Sequence, residues 1–347
     1  MVVVPVILAG GIGERFWPLS KSSLPKQLLK IISDKTMLEE TLLRVNAFCS
    51  SEACPIIITS EKLSGKLREA LPSYEFDLIK EVVGKNTAPA IALAARMIQA
   101  KYGDSVMVIL SADHDIRPVE SFAETVKFAV SQASKTGALT IFGIKPSRPD
   151  TGYGYIHLGD KLETSGENSM YEVKRFVEKP DSEKAKSFCK SGDYFWNSGI
   201  FLWKTSTILE EFGSYMPDLM ELLNVVEKDN FSQEKIDWFY NTCEKQSIDY
   251  GIMEHSKRVN VVVGNFSWDD IGSWESVGRV RGQNDRGVTT MGGSIYEREC
   301  SKSIVVNESS KALAVIGLEN AVVVTTNDAV VVIDRSKLPE YKKFITE

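Results

Sequence analysis

The sequence predicts an α/β fold in which a mostly parallel β-sheet is covered by helices on both sides, followed by a small β-rich domain. Three observations lead to this prediction. Short apolar runs alternate with helical patterns over most of the chain, and the connections between them are short. Many of these runs are continuous rather than alternating, as expected of strands buried on both faces. After about residue 285 the helical pattern disappears, while short apolar runs continue.

The first half of the chain supplies the clearest alternation. Residues 2–8 (VVVPVIL) form a continuous apolar run that is typical of a buried strand. Asn86 and Thr87 can cap an alanine-rich helix, and Pro89 is tolerated in the first turn of that helix. The elements predicted after the first strand are a helix at 37–49, a strand at 55–58, a helix at 61–71, a strand at 76–83, a helix at 88–101, a strand at 106–110, a helix at 119–135 and a strand at 138–144.

The middle of the chain is less regular but keeps both kinds of element. The pattern there predicts strands at 153–158, 171–177 and 259–263, and helices at 182–191, 204–226 and 232–256. No low-complexity segment and no long flexible linker interrupts this part of the sequence.

Short apolar runs separated by turn residues make up the C-terminal part of the chain. They lie at 303–306, 312–317, 321–326 and 329–334. Because one rung cannot bury its own apolar face, this repeat favours a stacked β-helix, which we predict to be left-handed; a β-sandwich or a hairpin tail is the alternative. The predicted domains are therefore 1–284 and 285–347. An open end of such a stack is a natural contact surface, so we expect a homodimer.

Length and composition exclude several classes of protein. The 347 residues suffice for roughly two domains, at about 150 residues per domain. A net charge of −6 argues against a general nucleic-acid binder, which needs a basic surface. No apolar run approaches the roughly 20 residues that span a bilayer, so we expect no membrane association. The five cysteines are odd in number and form no Cys-x-x-Cys pair, which predicts no disulfide framework and a reducing, cytoplasmic location.

A glycine loop follows the first strand. Its sequence is LAGGIGER (8–15), and three glycines in four positions let backbone N–H groups approach an anion closely. The loop is not a dinucleotide fingerprint, because Phe16 stands where the third glycine would pack, and the P-loop pattern is absent as well. Arg15 and Lys26 follow the loop as two cations that together suit a triphosphate. A tight turn with solvated charges is the alternative interpretation.

Aspartates from two distant segments are candidate ligands of a divalent cation. Asp113 comes directly after a buried strand, where open α/β sheets place their ligands. Mg²⁺ prefers a few carboxylates completed by phosphate oxygens and water, and a second aspartate follows Trp268. The spacing alone does not choose among Asp113, Asp115, Asp269 and Asp270. Capping of a turn or helix is the alternative role, which we favour for Asp115 and Asp269.

Other polar residues suit a nucleotide base and a sugar phosphate. Glu81 ends a predicted strand, and a carboxylate can accept hydrogen bonds from the adjacent N1–H and 2-amino groups of guanine. Lys179, in Glu178-Lys179-Pro180, is a compact cation suited to a phosphate. Asn197 offers both a donor and an acceptor to a hydroxyl group. For Glu81 and for the Glu178–Lys179 pair, a solvated surface charge is the alternative.

These segments resemble a known family. The string LAGGIGERFWPLSKSSLPKQL (8–28) is similar to the nucleotide-binding signature of the sugar-1-phosphate nucleotidyltransferases, and Gln27 points to the mannose-1-phosphate guanylyltransferases among them. Val82 and Lys85 depart from the family's pattern, which often has proline and arginine at these positions. The resemblance continues through the segments GKNTAPAIALAA (84–95), SADHDI (111–116), IKPSRPDTGYGYI (144–156), FVEKPD (176–181), WNSGIF (196–201), SIDYGIME (247–254) and WDDIGSW (268–274).

The resemblance implies a Rossmann-like nucleotidyltransferase fold and a catalytic domain over 1–284, which transfers GMP from GTP to mannose 1-phosphate with the help of Mg²⁺. It implies that Asp113 and Asp270 are the metal ligands and that Arg15, Lys26 and Lys179 complete the catalytic set. The residues implied at the nucleotide are Leu8, Gly10, Gly11, Gly13, Arg15, Lys26, Glu81, Asn86 and Thr87. Those implied at mannose 1-phosphate are Gly154, Glu178, Lys179, Asn197 and Asp249.

Three other functions compete with this expectation. The first is the same chemistry on another hexose 1-phosphate or another nucleotide. The second is a catalytically silent subunit that senses nucleotide sugars, and the intact set of charged residues argues against it. The third is a NAD-dependent dehydrogenase, which the broken glycine fingerprint disfavours.

Overall fold

The structure divides the chain into two units, and one of the division points lies inside the glycine loop. The computed structural model describes residues 1–11, 13–21, 24–341 and 343. The first unit consists of Met1–Gly10, Leu42–Ser111 and Ile116–Trp268. The second unit consists of the described residues of Gly11–Thr41, Ala112–Asp115 and Asp269–Glu347. The last residues of the predicted C-terminal domain, 342 and 344–347, lie outside the described part of the chain.

Strands and helices alternate along the chain, as the apolar pattern predicts. The first strands are β1 (Val3–Leu8), β2 (Ile56–Ser60), β3 (Asp77–Glu81), β4 (Val106–Ser111), β5 (Asp115–Arg117), β6 (Leu139–Ile144), β7 (Tyr155–Ser165), β8 (Asn168–Val177), β9 (Tyr194–Lys204), β10 (Val259–Val263) and β11 (Ser267–Asp269). The α-helices are α1 (Met37–Val45), α2 (Glu61–Ala70), α3 (Thr87–Tyr102), α4 (Val119–Thr136), α5 (Ser182–Ser191), α6 (Thr205–Tyr215), α7 (Pro217–Lys228), α8 (Gln233–Thr242) and α9 (Trp274–Arg281). Among the described residues, no helix combines the length and the apolar character that crossing a membrane requires.

A nine-stranded sheet with the order β3-β2-β1-β4-β9-β6-β10-β8-β7 forms the frame of the first unit. Strands β8 and β9 run antiparallel to their neighbours, and the other strands share one direction. Parallel pairing aligns Leu8 of β1 with Ile58 of β2, and Ser60 of β2 with Glu81 of β3. Because parallel strands end at the same edge of a sheet, Leu8 and Glu81 both lie at its carboxyl edge, where α/β sheets bind ligands.

Helix α3 packs into the core of the first unit through small side chains. Its residues from Ala88 to Ala95 are all buried, and its outer side packs against α6 and α7. Alanine allows this close approach because it carries no bulk beyond Cβ and loses no side-chain entropy. Asn86 caps the helix as predicted, since its side-chain oxygen accepts a hydrogen bond from the Thr87 N–H at 2.9 Å.

The first unit differs from the prediction at strand β9 and in two predicted helical regions. Strand β9 was not predicted, because its Asn-Ser-Gly segment (197–199) weakens the apolar run; the strand nevertheless lies antiparallel between β4 and β6. The helix predicted at 204–226 is two helices, because Pro217 lacks an N–H and begins a new one. The helical region predicted at 232–256 is reduced to α8 and a short π-helix at Asp249–Met253.

The apolar runs of the C-terminal part form short strands in the second unit. These strands are β12 (Thr289–Gly292), β13 (Ile295–Arg298), β14 (Ile304–Glu308), β15 (Leu313–Ile316), β16 (Ala321–Thr326) and β17 (Val330–Asp334). Strands β12, β14 and β16 pair in parallel, β13 pairs in parallel with β15, and β17 closes the edge of β16 in the antiparallel direction. The β13–β15 and β14–β16 pairings have the same offset in sequence, since Ile295 lies opposite Leu313 and Ile304 lies opposite Val322.

The core of the second unit joins the glycine-loop segment to these strands. Phe16 and Trp274 are both buried, with ring centroids 5.1 Å apart in an edge-to-face contact, and Ile304 and Val322 belong to the same cluster. Arg281, at the end of α9, fixes the chain that follows Lys26. Its guanidinium donates hydrogen bonds to the carbonyls of residues 30, 31 and 33 at 2.8, 2.6 and 3.1 Å.

Candidate active site

The glycine loop of the second unit is shaped by the close approach of Lys26. Gly13 has a φ of 76°, in the left-handed region, and a Cβ added to it would lie 2.2 Å from Cβ of Lys26. The Ser20 hydroxyl donates a hydrogen bond to the Gly13 carbonyl at 2.5 Å, which holds the turn closed. Only glycine satisfies both the backbone angle and the contact.

The Lys26 ammonium group brings together predicted residues from three segments of the chain. The side chain is only 8% exposed, so the charge needs partners. Lys26 Nζ lies 2.6 Å from Oδ2 of Asp113 and donates to the backbone carbonyl of Asp270 at 3.1 Å. It also lies 5.6 Å from the ring centroid of Phe16. This arrangement gathers one cation, one carboxylate and one carbonyl at a single point.

The structure shows different partners for Asp269 and Asp270, which the spacing in the sequence does not distinguish. The Asp269 carboxylate is buried and pairs with Arg279, whose Nε and Nη2 donate at 2.6 and 3.2 Å, and it also accepts the Ile271 N–H at 2.9 Å. Asp269 is therefore a structural residue, as expected. The half-buried Asp270 carboxylate accepts a hydrogen bond from the Gly272 N–H at 3.1 Å.

Asp113 and Asp270 are the two carboxylates predicted to bind a divalent cation. Among the described residues no group of three or more His, Cys, Asp and Glu side chains forms a candidate metal site. Carboxylate oxygens fit Mg²⁺, which completes its shell with phosphate oxygens and water. Arg15 is exposed in the same unit, and its Nη1 donates to the Gly272 carbonyl at 3.4 Å.

Glu81 is a buried carboxylate at the end of β3 in the first unit. It is 8% exposed, and a Cβ added to Gly10 would lie 3.3 Å from its Oε2 atom. Burial raises the pKa of Glu81 to about 7. Burial, with a further contribution from the negative charge of Glu81, raises the pKa values of Tyr240 and Cys243. Gly10 thus lies beside the predicted base-reading residue, while Leu8 ends β1 at the same edge of the sheet.

The loop after Glu81 is joined to a distant segment of the same unit. The Lys85 carbonyl accepts the Gln246 N–H at 3.1 Å, and the Ala88 N–H donates to the Gln246 carbonyl at 3.1 Å. Lys85 Nζ donates to the Cys243 carbonyl at 2.7 Å. The Thr87 hydroxyl accepts the Ile248 N–H at 2.8 Å. Thr87 was predicted as a nucleotide contact, and its hydroxyl oxygen also accepts this hydrogen bond from Ile248 within the protein.

The five residues predicted at the sugar phosphate lie together in the first unit. A Cβ added to Gly154 would lie 2.5 Å from Oε2 of Glu178 and 3.4 Å from Cβ of Asn197. The Asn197 amide donates to Oδ1 of Asp249 at 3.0 Å, and its oxygen accepts the Gly199 N–H at 3.0 Å. The exposed Lys179 ammonium donates to Glu178. The cluster thus combines two carboxylates, an amide and an ammonium group beside the backbone of Gly154, which carries no side chain.

The charges in this pocket act on one another. Burial, followed by the negative charge of Glu178, raises the pKa of Asp249 to about 6. The hydrogen bond to Glu178 raises the pKa of Lys179. The pocket therefore holds two neighbouring carboxylates, one of which has a raised pKa, together with the Lys179 ammonium group.

Arg148 is a residue of this pocket's frame that the sequence analysis missed. Its guanidinium lies 4.9 Å from the Trp196 ring centroid, pairs with Asp150 at 2.9 Å and donates to the Tyr153 hydroxyl at 3.0 Å. Two of these partners, Tyr153 and Trp196, directly precede Gly154 and Asn197 in the sequence. An arginine two residues before an aspartate, in a segment rich in glycine and tyrosine, was the available signal.

The chain is similar in sequence and in fold to known proteins. Residues 4–284 match the Nucleotidyl transferase family. Mannose-1-phosphate guanylyltransferase of Klebsiella pneumoniae is 37% identical over 99% of this chain and 73% of its own length, and the alginate biosynthesis protein AlgA of Pseudomonas aeruginosa is 34% identical over 99% and 72%. A crystal structure described as a mannose-1-phosphate geranyltransferase from Thermus thermophilus superimposes with a TM-score of 0.88 at 30% identity, covering 100% of this chain and 99% of that one.

The first prediction concerns the glycine loop. We expect Gly13→Ala to lower the free energy of unfolding by about 1–3 kcal/mol, because the new Cβ overlaps Lys26 and the backbone angle is unfavourable. Thermal unfolding measures this effect. Gly11→Ala is the matched control, since among the described residues no atom beyond its chain neighbours lies within 4 Å of the position its Cβ would take, and it should unfold near the wild-type temperature. Equal unfolding temperatures for the two variants would contradict the prediction.

Proposed function

The chain belongs to the nucleotidyl transferase family, and we propose that it transfers GMP from GTP to mannose 1-phosphate, producing GDP-mannose and pyrophosphate. The names of its relatives support this choice of substrates. The observation that carries the proposal is the Lys26 ammonium group beside the Asp113 carboxylate and the Asp270 carbonyl. Phosphoryl transfer needs mainly positioning and charge neutralisation, and these groups can supply both.

The proposed reaction is a direct displacement at the α-phosphorus of GTP. A phosphate oxygen of mannose 1-phosphate forms the new P–O bond, while the bond to the bridging oxygen of the β-phosphate breaks and pyrophosphate leaves with the electron pair. The sugar phosphate is already a nucleophile, so no serine, cysteine or histidine has to be activated and no covalent intermediate forms. Arg15 and Lys26 neutralise the charge on the leaving pyrophosphate, and Lys179 aligns the attacking phosphate.

We propose Asp113 and Asp270 as the residues that hold Mg²⁺. When bound there, the ion would neutralise charge on the phosphate oxygens. The Asp113 carboxylate faces the Lys26 ammonium group at 2.6 Å, so it lies beside a residue that we propose binds the nucleotide phosphates. Asp269 is not proposed as a ligand, because Nε and Nη2 of Arg279 both donate to its carboxylate and it also accepts the Ile271 N–H.

The first unit supplies recognition in this proposal. The buried Glu81 carboxylate accepts hydrogen bonds from the guanine N1–H and 2-amino groups, and Gly10 leaves backbone room for the nucleotide. Asn86 and Thr87 are proposed to contact the nucleotide as well. Glu178 and Asp249 accept hydrogen bonds from mannose hydroxyl groups, Asn197 can donate to or accept from one, and the ring lies over the backbone of Gly154, which carries no side chain.

We further propose a catalytic domain over 1–284 and a left-handed β-helix over 285–347 that mediates homodimer formation. The family match over residues 4–284 and the repeated parallel register of the C-terminal strands support this division. The five cysteines are free thiols, which supports a reducing, cytoplasmic location. Neither a nucleic acid nor a membrane is a proposed partner.

A matrix of nucleotides against sugar phosphates tests the proposed reaction. Purified protein is incubated with GTP, ATP, UTP or dTTP and with mannose, glucose or galactose 1-phosphate in the presence of Mg²⁺, and pyrophosphate release is measured. The largest kcat/KM is expected for GTP with mannose 1-phosphate. A larger value for another pair would replace the proposed substrates, and no release from any pair would favour a silent sensor.

The metal ligands have a matched control in the neighbouring aspartate. Asp113→Asn and Asp270→Asn should each lower kcat on the order of a hundred-fold, because each removes a full negative charge from the proposed cation site. Asp269→Asn should instead lower the unfolding temperature, since it weakens the pair with Arg279. Titration of the rate with Mg²⁺ separates the two effects. A near-wild-type rate for Asp270→Asn at low Mg²⁺ would remove this residue from the site.

The two lysines should affect different substrates. Lys26→Ala is expected to raise the KM for GTP or lower kcat by about ten-fold or more, the scale of one charge-assisted hydrogen bond, with little change in the KM for mannose 1-phosphate. Lys179→Ala should show the reverse pattern. Lys62→Ala, on the exposed face of α2, is the control. Exchanged phenotypes would mean that the two phosphate subsites are assigned the wrong way round.

The pKa of Glu81 predicts a pH dependence for GTP binding. The carboxylate accepts both guanine donors only when it is ionised, and its pKa is raised to about 7. The affinity for GTP should therefore increase between about pH 6 and pH 8, as ionisation becomes complete. Glu81→Gln should bind GTP roughly ten-fold more weakly, lose this pH dependence and discriminate less against ATP. An unchanged GTP/ATP ratio of kcat/KM in Glu81→Gln would assign base recognition to other groups.

A further inference from the structure

The loop beside the base-reading residue is tied to the sugar pocket by a row of hydrogen bonds within the first unit. Residues 85–88 and 243–248 are joined at four points: Lys85 Nζ to the Cys243 carbonyl, the Gln246 N–H to the Lys85 carbonyl, the Ala88 N–H to the Gln246 carbonyl, and the Ile248 N–H to the Thr87 hydroxyl. Three of these contacts use backbone groups or a flexible lysine. The fourth depends on one hydroxyl oxygen, that of Thr87.

The partner of Thr87 lies at the start of the turn that carries a pocket carboxylate. Ile248 is 1% exposed, so its N–H has to be satisfied by the protein. The next residue, Asp249, opens the π-helix Asp249–Met253 and accepts the Asn197 amide at 3.0 Å. The Thr87 hydroxyl therefore holds the residue directly before the first residue of this π-helix.

We propose that Thr87 is a positioning residue for the sugar pocket, whose hydroxyl sets the place of Asp249 through the Ile248 N–H. This inference rests on the proposed function and adds a specific route by which the nucleotide loop influences sugar-phosphate binding. Thr87 follows Asn86 directly and begins α3, so a nucleotide that orders this loop also fixes the hydroxyl that holds Ile248. Binding of the two substrates is then coupled through a defined contact rather than through their charges alone.

Two substitutions at one position separate the hydroxyl from the rest of the side chain. Thr87→Val keeps the shape of the side chain but removes the acceptor, which leaves the buried Ile248 N–H unpaired. Thr87→Ser keeps the hydroxyl and should restore the wild-type behaviour. Thr140→Val is the matched control, because the Thr140 hydroxyl is buried on β6 and has no hydrogen-bond partner among the described residues.

The readout is the affinity for mannose 1-phosphate, measured by calorimetry without nucleotide and as a KM in the forward reaction. Thr87→Val should weaken it about ten-fold, while Thr87→Ser and Thr140→Val stay within about two-fold of the wild type. If Thr87→Val does not fold, Lys85→Met removes another of the four contacts and should weaken the same affinity by a smaller factor. Thermal unfolding of every variant identifies a loss of folded protein.

Two results would overturn the inference. One is a Thr87→Val variant that binds mannose 1-phosphate normally and is altered only in its affinity for GTP, which would make Thr87 a nucleotide contact alone. The other is a Thr87→Ser variant that behaves like Thr87→Val. Failure of the proposed function is distinct from both, because the wild-type protein itself would then bind no mannose 1-phosphate and release no pyrophosphate from GTP.

Discussion

The second unit is organised around one buried ammonium group. Burying a lysine charge costs free energy unless hydrogen-bonded partners of opposite polarity surround it, and here Asp113 and the Asp270 carbonyl provide them. These three residues come from separate parts of the sequence, so the contact fixes how their segments pack. Gly13 is required because any side chain there would displace Lys26, and Arg281 holds the chain that follows it.

The first unit differs in that two of its carboxylates have raised pKa values. Burial raises the pKa of Glu81 to about 7 and, together with the negative charge of Glu178, raises that of Asp249 to about 6. Both values are above those of the unfolded chain, so the ionised forms lower the stability of the fold as the pH rises through these pKa values. In the proposed function, hydrogen-bond donors on a guanine base and on a sugar would relieve this cost.

The candidate site was predicted in parts from local sequence. The glycine loop, Arg15 and Lys26 stand out by their residue chemistry, whereas the base-reading role of Glu81 and the sugar-side residues follow from a family resemblance. The choice between Asp269 and Asp270 had no local signal, because adjacent aspartates differ only in what their side chains meet. In the structure their partners differ, because Arg279, ten residues further along, pairs with Asp269. Likewise, Thr87 was expected to contact the nucleotide, and its link to Ile248 spans 161 residues of sequence.

The sequence by itself determined the class of fold, most of the strands and helices, and the run of apolar segments at the C-terminal end. These features depend on hydrophobic periodicity, caps and proline, which act over a few residues. Tertiary structure decided the placement of strand β9, whose Asn-Ser-Gly segment weakens the local pattern but which pairs between β4 and β6. It also decided which charges are paired and which carboxylates are buried. Such choices depend on neighbours that are distant in sequence, because the free energy of a buried charge is set by the groups that surround it in space.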